Sequence, residues 1–203
     1  MAKGRRAEPR VYLSPYTAPA GAGDRFLGEL SARGFLPSSF MSVLLAPAGD
    51  ADLPAPAGLE VREVGGADRD AFLDIWLAPV EEAERSPFRS LARHEFADWR
   101  AFIALLDGEP AGVASLFIGE RVGVLAGAVT LPSFRGRGVQ TALLRRRIAE
   151  AAGAGCALVA AQASPGTISE RNMQRVGLRP AFGQVLFVQR TAVAAGGGET
   201  NGG

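Results

Sequence analysis

One cysteine and one histidine stand in a chain of 203 residues, with two tyrosines. The single cysteine, Cys156, excludes an internal disulfide framework and fits a reducing compartment. Set between Gly155 and "ALVA", it reads as a small buried strand residue rather than a catalytic thiol. His94 alone rules out a multi-histidine metal site, and no metal is expected. No run approaches the roughly 20 apolar residues of a membrane span. The start "MAKGRRAEPR" carries charge without an apolar stretch behind it, so it is not a secretory signal. Charge of one sign is also missing. Twenty-two basic residues face 21 acidic ones, leaving +1 and no global field toward nucleic acid or an anionic membrane. A cytoplasmic protein with neither nucleic acid nor membrane as partner is expected.

What remains is a globular composition, 47% hydrophobic with mean hydropathy +0.10. Residues 46 to 57, which open "APAGDADLPAP", form a Pro/Ala/Gly stretch without periodicity, and a linker is expected over 48–57. It separates a short piece, 11–47, from a longer one, 58–190. Residues 1–10 are expected to be flexible, and the tail 191–203, "TAVAAGGGETNGG", disordered.

Within the longer piece the hydrophobic period switches repeatedly. "LEVREV" alternates as a strand. "DRDAFLDIWLAPVEEA" reads as a helix that Asp68 or Asp70 can cap, with Phe72, Ile75, Trp76 and Val80 at helical spacing. "RAFIALLDGEPAGVASLFI" is a hairpin turning at Asp107-Gly108, and "RVGVLAGAVTL" runs on to Pro132. A helix is expected from about Val139 to Ala152, and then "CALVAAQ", parallel to the strand before that helix. "TISERNMQRVG" reads as a second short helix stopping at Gly177, and "PAFGQVLFVQR" as one or two closing strands. The fold class is therefore α/β of the α+β type: a mixed, mainly antiparallel sheet flanked by helices. Residues 32–47, "ARGFLPSSFMSVLLAP", also lie without a gap on residues 175–190, with Gly34 over Gly177 and Pro37 over Pro180.

The chemistry concentrates in residues 131–147, "LPSFRGRGVQTALLRRR". A strand ends there and a helix begins, where unpaired N–H groups and the helix dipole favour an anion. Gly136 and Gly138 keep side chains out of the approach, which suggests a pyrophosphate cradle. A P-loop is excluded because the only lysine is Lys3, and the dinucleotide fingerprint would need glycine at Thr141. Arg135 and Arg137 flank the loop and can assist phosphate groups. Arg145, Arg146 and Arg147 step by about 100° each, so they are expected to form a solvated helix face. Leu144, Ile148, Ala151 and Ala152 are the packing stripe.

"TLPSFRGRGVQTALL" resembles the acetyl-CoA-binding motif of the GNAT N-acetyltransferase superfamily, [QR]-x-x-G-x-[GA] after a strand ending near proline. Arg135, Gly136, Arg137, Gly138 and Val139 match, while Gln140 stands in place of the usual small residue. The "DGEPAG" hairpin and "RNMQRVGLRPAF" are also similar to the family, so the resemblance covers about residues 58–190. Residues 11–47 resemble the tail of a second, degenerate lobe; its apolar strands are expected to pack on the main sheet or in a homodimer.

The resemblance implies acetyl-CoA as co-substrate and an amine as acceptor. It implies that the backbone of Ala128, Val129 and Thr130 pairs with the pantetheine arm, that Gly136 to Thr141 hold the pyrophosphate through N–H groups, and that Asn172 supports the splayed strand or touches CoA. The family's usual acid, a tyrosine in the second helix, falls on Met173, and Phe182 beyond it has no hydroxyl either. Both tyrosines, Tyr12 and Tyr16, lie in the N-terminal piece. Ser169 or water is a substitute proton donor. Glu81, Glu82, Glu84, His94 and Glu95 are candidates for the base, and Trp76 for the acceptor wall or the core. No catalytic residue is assigned. The expected function is N-acetyl transfer to an unidentified small molecule or peptide; the alternative is a non-catalytic acyl-CoA-binding or partner-binding module.

Overall fold

The computed structural model describes residues 10–13, 23–49, 56–82, 85 and 98–189. The elements are β1 (Arg10–Leu13), α1 (Gly23–Ala32), β2 (Phe35–Pro47), β3 (Leu59–Glu63), α2 (Arg69–Trp76), β4 (Trp99–Leu106) and β5 (Glu109–Ile118). There follow β6 (Val122–Leu125), β7 (Ala128–Thr130), α3 (Val139–Gly153), β8 (Leu158–Ala163), α4 (Ile168–Arg175) and β9 (Arg179–Gln189). They fall into two compact units: one holds β1, α1, β2 as far as Ser42 and β9 from Phe182, and the other runs from Val43 to Ala181.

The larger unit is built on a mainly antiparallel sheet. β3, β4, β5 and β6 are successive antiparallel neighbours, and β8 joins β6 in parallel. Asp107 (φ 54) and Gly108 (φ 85) both take the left-handed conformation that a two-residue hairpin turn needs between Leu106 and Glu109. Because side chains alternate along a strand, β4 sends Phe102, Ala104 and Leu106 to one face and Ile103 and Leu105 to the other. The first face packs on Val139, Leu143, Leu144 and Ile148 of α3. The second packs with Ile75, Phe72 and Trp76 of α2.

Several sequence expectations are corrected by local chemistry. The helix expected over residues 68–83 ends at Trp76, because Pro79 has no N–H to continue the ladder and disfavours helical backbone before it. Asp68 precedes that helix without capping it, since its carboxylate is taken by Arg62 at 2.9 Å. The run "RVGVLAGAVTL" is two strands, β6 and β7, broken at Ala126-Gly127. Arg147 is not on a solvated face. It is 1% exposed inside the α3 core stripe, whereas Arg146 is exposed and pairs with Glu150.

The start of the expected linker is ordered, with β2 reaching Pro47 and the Ala48 N–H bonded to the Ala157 carbonyl at 3.0 Å. Residues 50–55 lie outside the described residues, as do residues 1–9 and the tail from 190. In the smaller unit β1 pairs antiparallel with β9, Tyr12 opposite Leu186. Gly34 (φ 75), between α1 and β2, and Gly177 (φ 98), between α4 and β9, make the same left-handed exit from a helix into a strand. Among the described residues no helix is long and apolar enough to cross a membrane, and no cluster of His, Cys, Asp or Glu could hold a metal ion.

Candidate functional site

The 131–147 stretch folds as a short loop delivering the chain into α3. Pro132–Phe134 form a single 3-10 turn, closed by the Phe134 N–H on the Leu131 carbonyl at 3.0 Å. Gly136 (φ 75) and Gly138 (φ 85) then carry the backbone through two left-handed positions. Gly138 is the N-cap of α3 and supplies no side-chain cap, so the first-turn N–H groups of Val139, Gln140 and Thr141 have no capping side chain among the described residues and can take an external acceptor. A Cβ on Gly136 would meet nothing within 4 Å among the described residues. A Cβ on Gly138 would instead lie 2.9 Å from Pro56 Cγ. Glycine at 138 therefore answers to backbone conformation and to Pro56.

The side chains around this loop divide into held and free. Arg135 is exposed and makes no side-chain bond among the described residues. Arg137 donates to Asp107 at 3.2 Å and lies 5.9 Å from the Phe134 ring centroid. Both partners of that ion pair are about half exposed or more, so it is worth only a few tenths of a kcal/mol. Gln140 donates to Ser169 Oγ at 2.9 Å and accepts from Asn172 Nδ2 at 2.7 Å. Asn172 Oδ1 in turn accepts from Arg175 at 2.6 Å. The bulky Gln140 is thus drawn sideways onto α4 and its own N–H stays in the first turn of α3. Asn172 is brought to the cradle through Gln140, and Ser169 is engaged in the same chain of bonds. Thr167 caps α4 by accepting from the Glu170 N–H at 3.3 Å, while Glu170 accepts from the Gly166 N–H at 2.6 Å, which fixes the helix that holds this network.

Beside the cradle, the sheet splits. β6 pairs with β8 from Val122↔Leu158 to Leu125↔Ala161, but β7 pairs only with β5 among the described residues. The Ser115 N–H donates to the Gly127 carbonyl at 3.1 Å and the Leu131 N–H to the Ala111 carbonyl at 3.0 Å. By the alternation of an antiparallel ladder, Val129 also faces β5, and the main-chain groups of Ala128 and Thr130 point to the open edge. Of the three residues expected to pair with pantetheine, two present their hydrogen-bonding groups and Val129 is used inside the sheet.

Three features of this split lay hidden in the sequence reading. Gly112 lets β7 and α3 close in on β5: its Cβ would be 2.8 Å from both the Val129 carbonyl and Val139 Cγ1. Gly127 accommodates Trp76, whose Cη2 would be 2.5 Å from an added Cβ. Trp76 is half-buried, stacked on Phe72 at 5.5 Å, so the residue weighed between acceptor wall and core is a packing residue placed at the strand break. Arg147 reaches that break from α3, donating from Nη1 to the carbonyls of Ser115 at 2.9 Å and Ala126 at 2.7 Å, and from Nε to Leu143 at 3.0 Å. Burial lowers its pKa to about 10, which leaves it a cation at neutral pH.

The Ser115 hydroxyl is buried with no hydrogen-bond partner among the described residues. Leaving such a group unsatisfied costs about 1–3 kcal/mol, so Ser115→Ala is expected to leave the melting temperature unchanged or raise it. A clear fall in a urea melt would show that the hydroxyl is bonded.

The catalytic candidates lie only in part among the described residues. Met173 is buried in the core beside α3 and offers no proton. Glu81 and Glu82 are exposed, Glu82 paired with Arg85. Glu84, His94 and Glu95 lie outside the described residues, as does Tyr16, and Tyr12 is 53% exposed in the smaller unit. Phe182 belongs to the smaller unit as well.

The sequence model of the acetyltransferase (GNAT) family matches residues 69–178, just over half of the chain. The chain belongs to that family. No curated relative matches it. Among solved structures, a GCN5-related N-acetyltransferase from Kribbella flavida is similar at TM-score 0.63 and 23% identity, covering 92% of this chain and 70% of that one. Another, from Sphaerobacter thermophilus, gives TM-score 0.66 at 20% identity, covering 91% of this chain and 61% of its own. An aminoglycoside N-acetyltransferase in complex with CoA gives 0.56 at 23%, covering 64% and 93%. At these identities the solved structures establish the GNAT fold of the chain and nothing of its acceptor.

Proposed function

We propose that this GNAT protein is an acetyl-CoA-dependent N-acetyltransferase acting on an amine of a small molecule or peptide. The observation that carries the reading is the adjacency of two unfilled sets of main-chain donors: the open edge of β7 at Ala128 and Thr130, and the uncapped first turn of α3 behind Gly138. An extended arm ending in a pyrophosphate satisfies both at once, the arm as an added strand and the anion on the helix start. Gly136, Arg137, Gly138, Val139, Gln140 and Thr141 would line the pyrophosphate. Arg135 is free to reach an adenosine phosphate, and Arg137 can exchange its weak bond to Asp107 for a phosphate. Asn172 acts through Gln140, holding the cradle helix against α4.

Acetyl-CoA would supply an activated acetyl group. The neutral amine nitrogen bonds the thioester carbonyl carbon, the carbon–sulfur bond breaks, the amine loses a proton and the thiolate takes one. With Met173 where a tyrosine acid usually stands, the thiolate relies on water or Ser169. General acid help is typically worth about 10²–10⁴-fold, but a thiol pKa near 8.5 already makes a tolerable leaving group. Slow turnover is therefore expected. The reading calls for no metal and suits a cytoplasmic location. The buried Met173 also favours a second reading, an acyl-CoA-binding or partner-binding module without turnover.

Saturation at about 100 Kd stabilises a fold by about 2.7 kcal/mol. Acetyl-CoA is accordingly expected to raise the melting temperature clearly, and absence of any shift would remove the basis of the proposal. CoA release across a panel of amines separates the enzyme from the module: binding without release favours the module.

A further inference from the structure

Arg147 is an arginine in the middle of an apolar stripe, 1% exposed, with no carboxylate partner among the described residues. A buried cation is costly unless its hydrogen bonds are met, so its placement calls for a reason. Its three bonds all go to carbonyls. Leu143 is one turn back on α3; Ser115 and Ala126 face each other across β5 and the break between β6 and β7. Leu125 is the last residue of β6 paired with β8, and two residues later Gly127 turns its carbonyl toward Ser115 of β5. Between them the Ala126 carbonyl has left the ladder, and a guanidinium in α3 receives it.

A trans peptide holds its C=O and N–H on opposite sides. With the Ala126 carbonyl turned to Arg147 on the α3 side, the Gly127 N–H is turned away from α3. It finds no acceptor among the described residues. Ala128, the first residue with main-chain groups on the open edge, follows directly. The unmet N–H thus sits at the head of the open edge, between the paired β6 and the splayed β7.

We infer that Arg147 is a positioning residue: by holding the Ala126 and Ser115 carbonyls it fixes the Ala126–Gly127 peptide so that the Gly127 N–H meets the carbonyl oxygen of the bound acyl thioester. The inference rests on the acyl-CoA reading of the β7 edge. It assigns to the buried arginine the recognition of the acyl group rather than of CoA as a whole, because pantetheine and pyrophosphate are held elsewhere, along β7 and at the start of α3. A lysine could keep the charge and reach the same two carbonyls, but it has no second nitrogen to anchor on the Leu143 carbonyl as the arginine Nε does, so it holds them less rigidly.

Acetyl-CoA and CoA differ at the acyl group alone, so their separate binding isolates the claim from catalysis. Isothermal titration of the parent is expected to show acetyl-CoA bound more tightly than CoA by about three- to tenfold, the net worth of one hydrogen bond. Arg147→Met is expected to erase that preference while CoA affinity stays within about twofold, and Arg147→Lys to keep part of it. In the parent, the Gly127 amide resonance is expected to shift on adding acetyl-CoA and not on adding CoA. A folded Arg147→Met protein that keeps the parent's preference overturns the inference, as does a Gly127 amide that responds alike to both ligands. If the methionine variant does not fold, the lysine variant and the parent amide decide. A parent that binds neither ligand defeats the acyl-CoA reading itself, which is a different failure from binding both without preference.

Discussion

Gly138→Glu is expected to abolish acetyl-CoA binding, raising Kd by more than about 100-fold, while the protein still folds. Gly138 has φ 85, a conformation costing a non-glycine residue about 1–3 kcal/mol. Its new Cβ would press on Pro56 Cγ from 2.9 Å, and a proline ring cannot swing aside as a long side chain would. Against these costs, an acidic side chain at the start of α3 favours the helix dipole by about 0.3–1 kcal/mol. The net loss of stability is therefore modest compared with a total of about 5–15 kcal/mol. The loss of binding has no such offset, because the carboxylate occupies the N–H groups that a pyrophosphate would use and repels it. Gly138→Ala carries the conformational cost and the Pro56 contact without the charge, so it should weaken binding far less. Pro56→Ala added to Gly138→Ala removes the contact and leaves the φ cost. Thermal melts with and without acetyl-CoA, beside titration of the ligand, separate the terms. A glutamate variant with the parent's thermal shift would show that the anion does not sit on this helix.

Much of this site was legible in the sequence because its signals are local. Asp107-Gly108 announces a hairpin through the left-handed preference of both positions, and Gly136-x-Gly138 before an apolar periodic run announces a helix start without a capping side chain. The family motif extended that reading to β7. What was not legible depends on contacts between elements distant in sequence. Nothing within "RVGVLAGAVTL" tells that Trp76, some 50 residues earlier, will sit on Gly127 and that the strand will break there. Gln140 stands where the motif has a small residue, and nothing near it in the sequence tells that α4 takes its side chain through Ser169 and Asn172.

Arg147 is the instructive error. Spreading three arginines over about 200° of helix shows that they cannot share one groove, but it does not show that all three face water. Leu143, Arg147 and Ala151 are spaced by four, alongside Leu144 and Ile148, so Arg147 lies in the buried stripe. The spacing alone places Arg147 in the stripe, and its charge alone argues for water. What permits the exception, two strand carbonyls displaced from a ladder, only the folded sheet provides.

Gly112→Ala is the second large effect, and it should damage stability and binding together. Glycine inside a strand marks a close approach, and here two come at once. The Cβ would lie 2.8 Å from the Val129 carbonyl of β7 and 2.8 Å from Val139 Cγ1, on the first residue of α3. The valine can move or be trimmed, but the carbonyl belongs to the backbone between the open-edge residues Ala128 and Thr130 and cannot yield without shifting β7. Overpacking of this kind costs about 1–3 kcal/mol, a fall of some degrees in melting temperature for a domain of this size. Val139→Ala in the Gly112→Ala background should recover only part of it. Because β7 and the start of α3 are pushed apart by the same methyl group, the spacing between the arm-pairing edge and the anion cradle changes. Acetyl-CoA affinity is then expected to fall in both the single and the double variant, even below the melting transition. Full recovery of stability and binding in the double variant would place the strain in Val139 alone and leave the β7 edge unmoved. A Gly112→Ala protein as stable as the parent would mean that β5, β7 and α3 do not meet as closely as the structure has them.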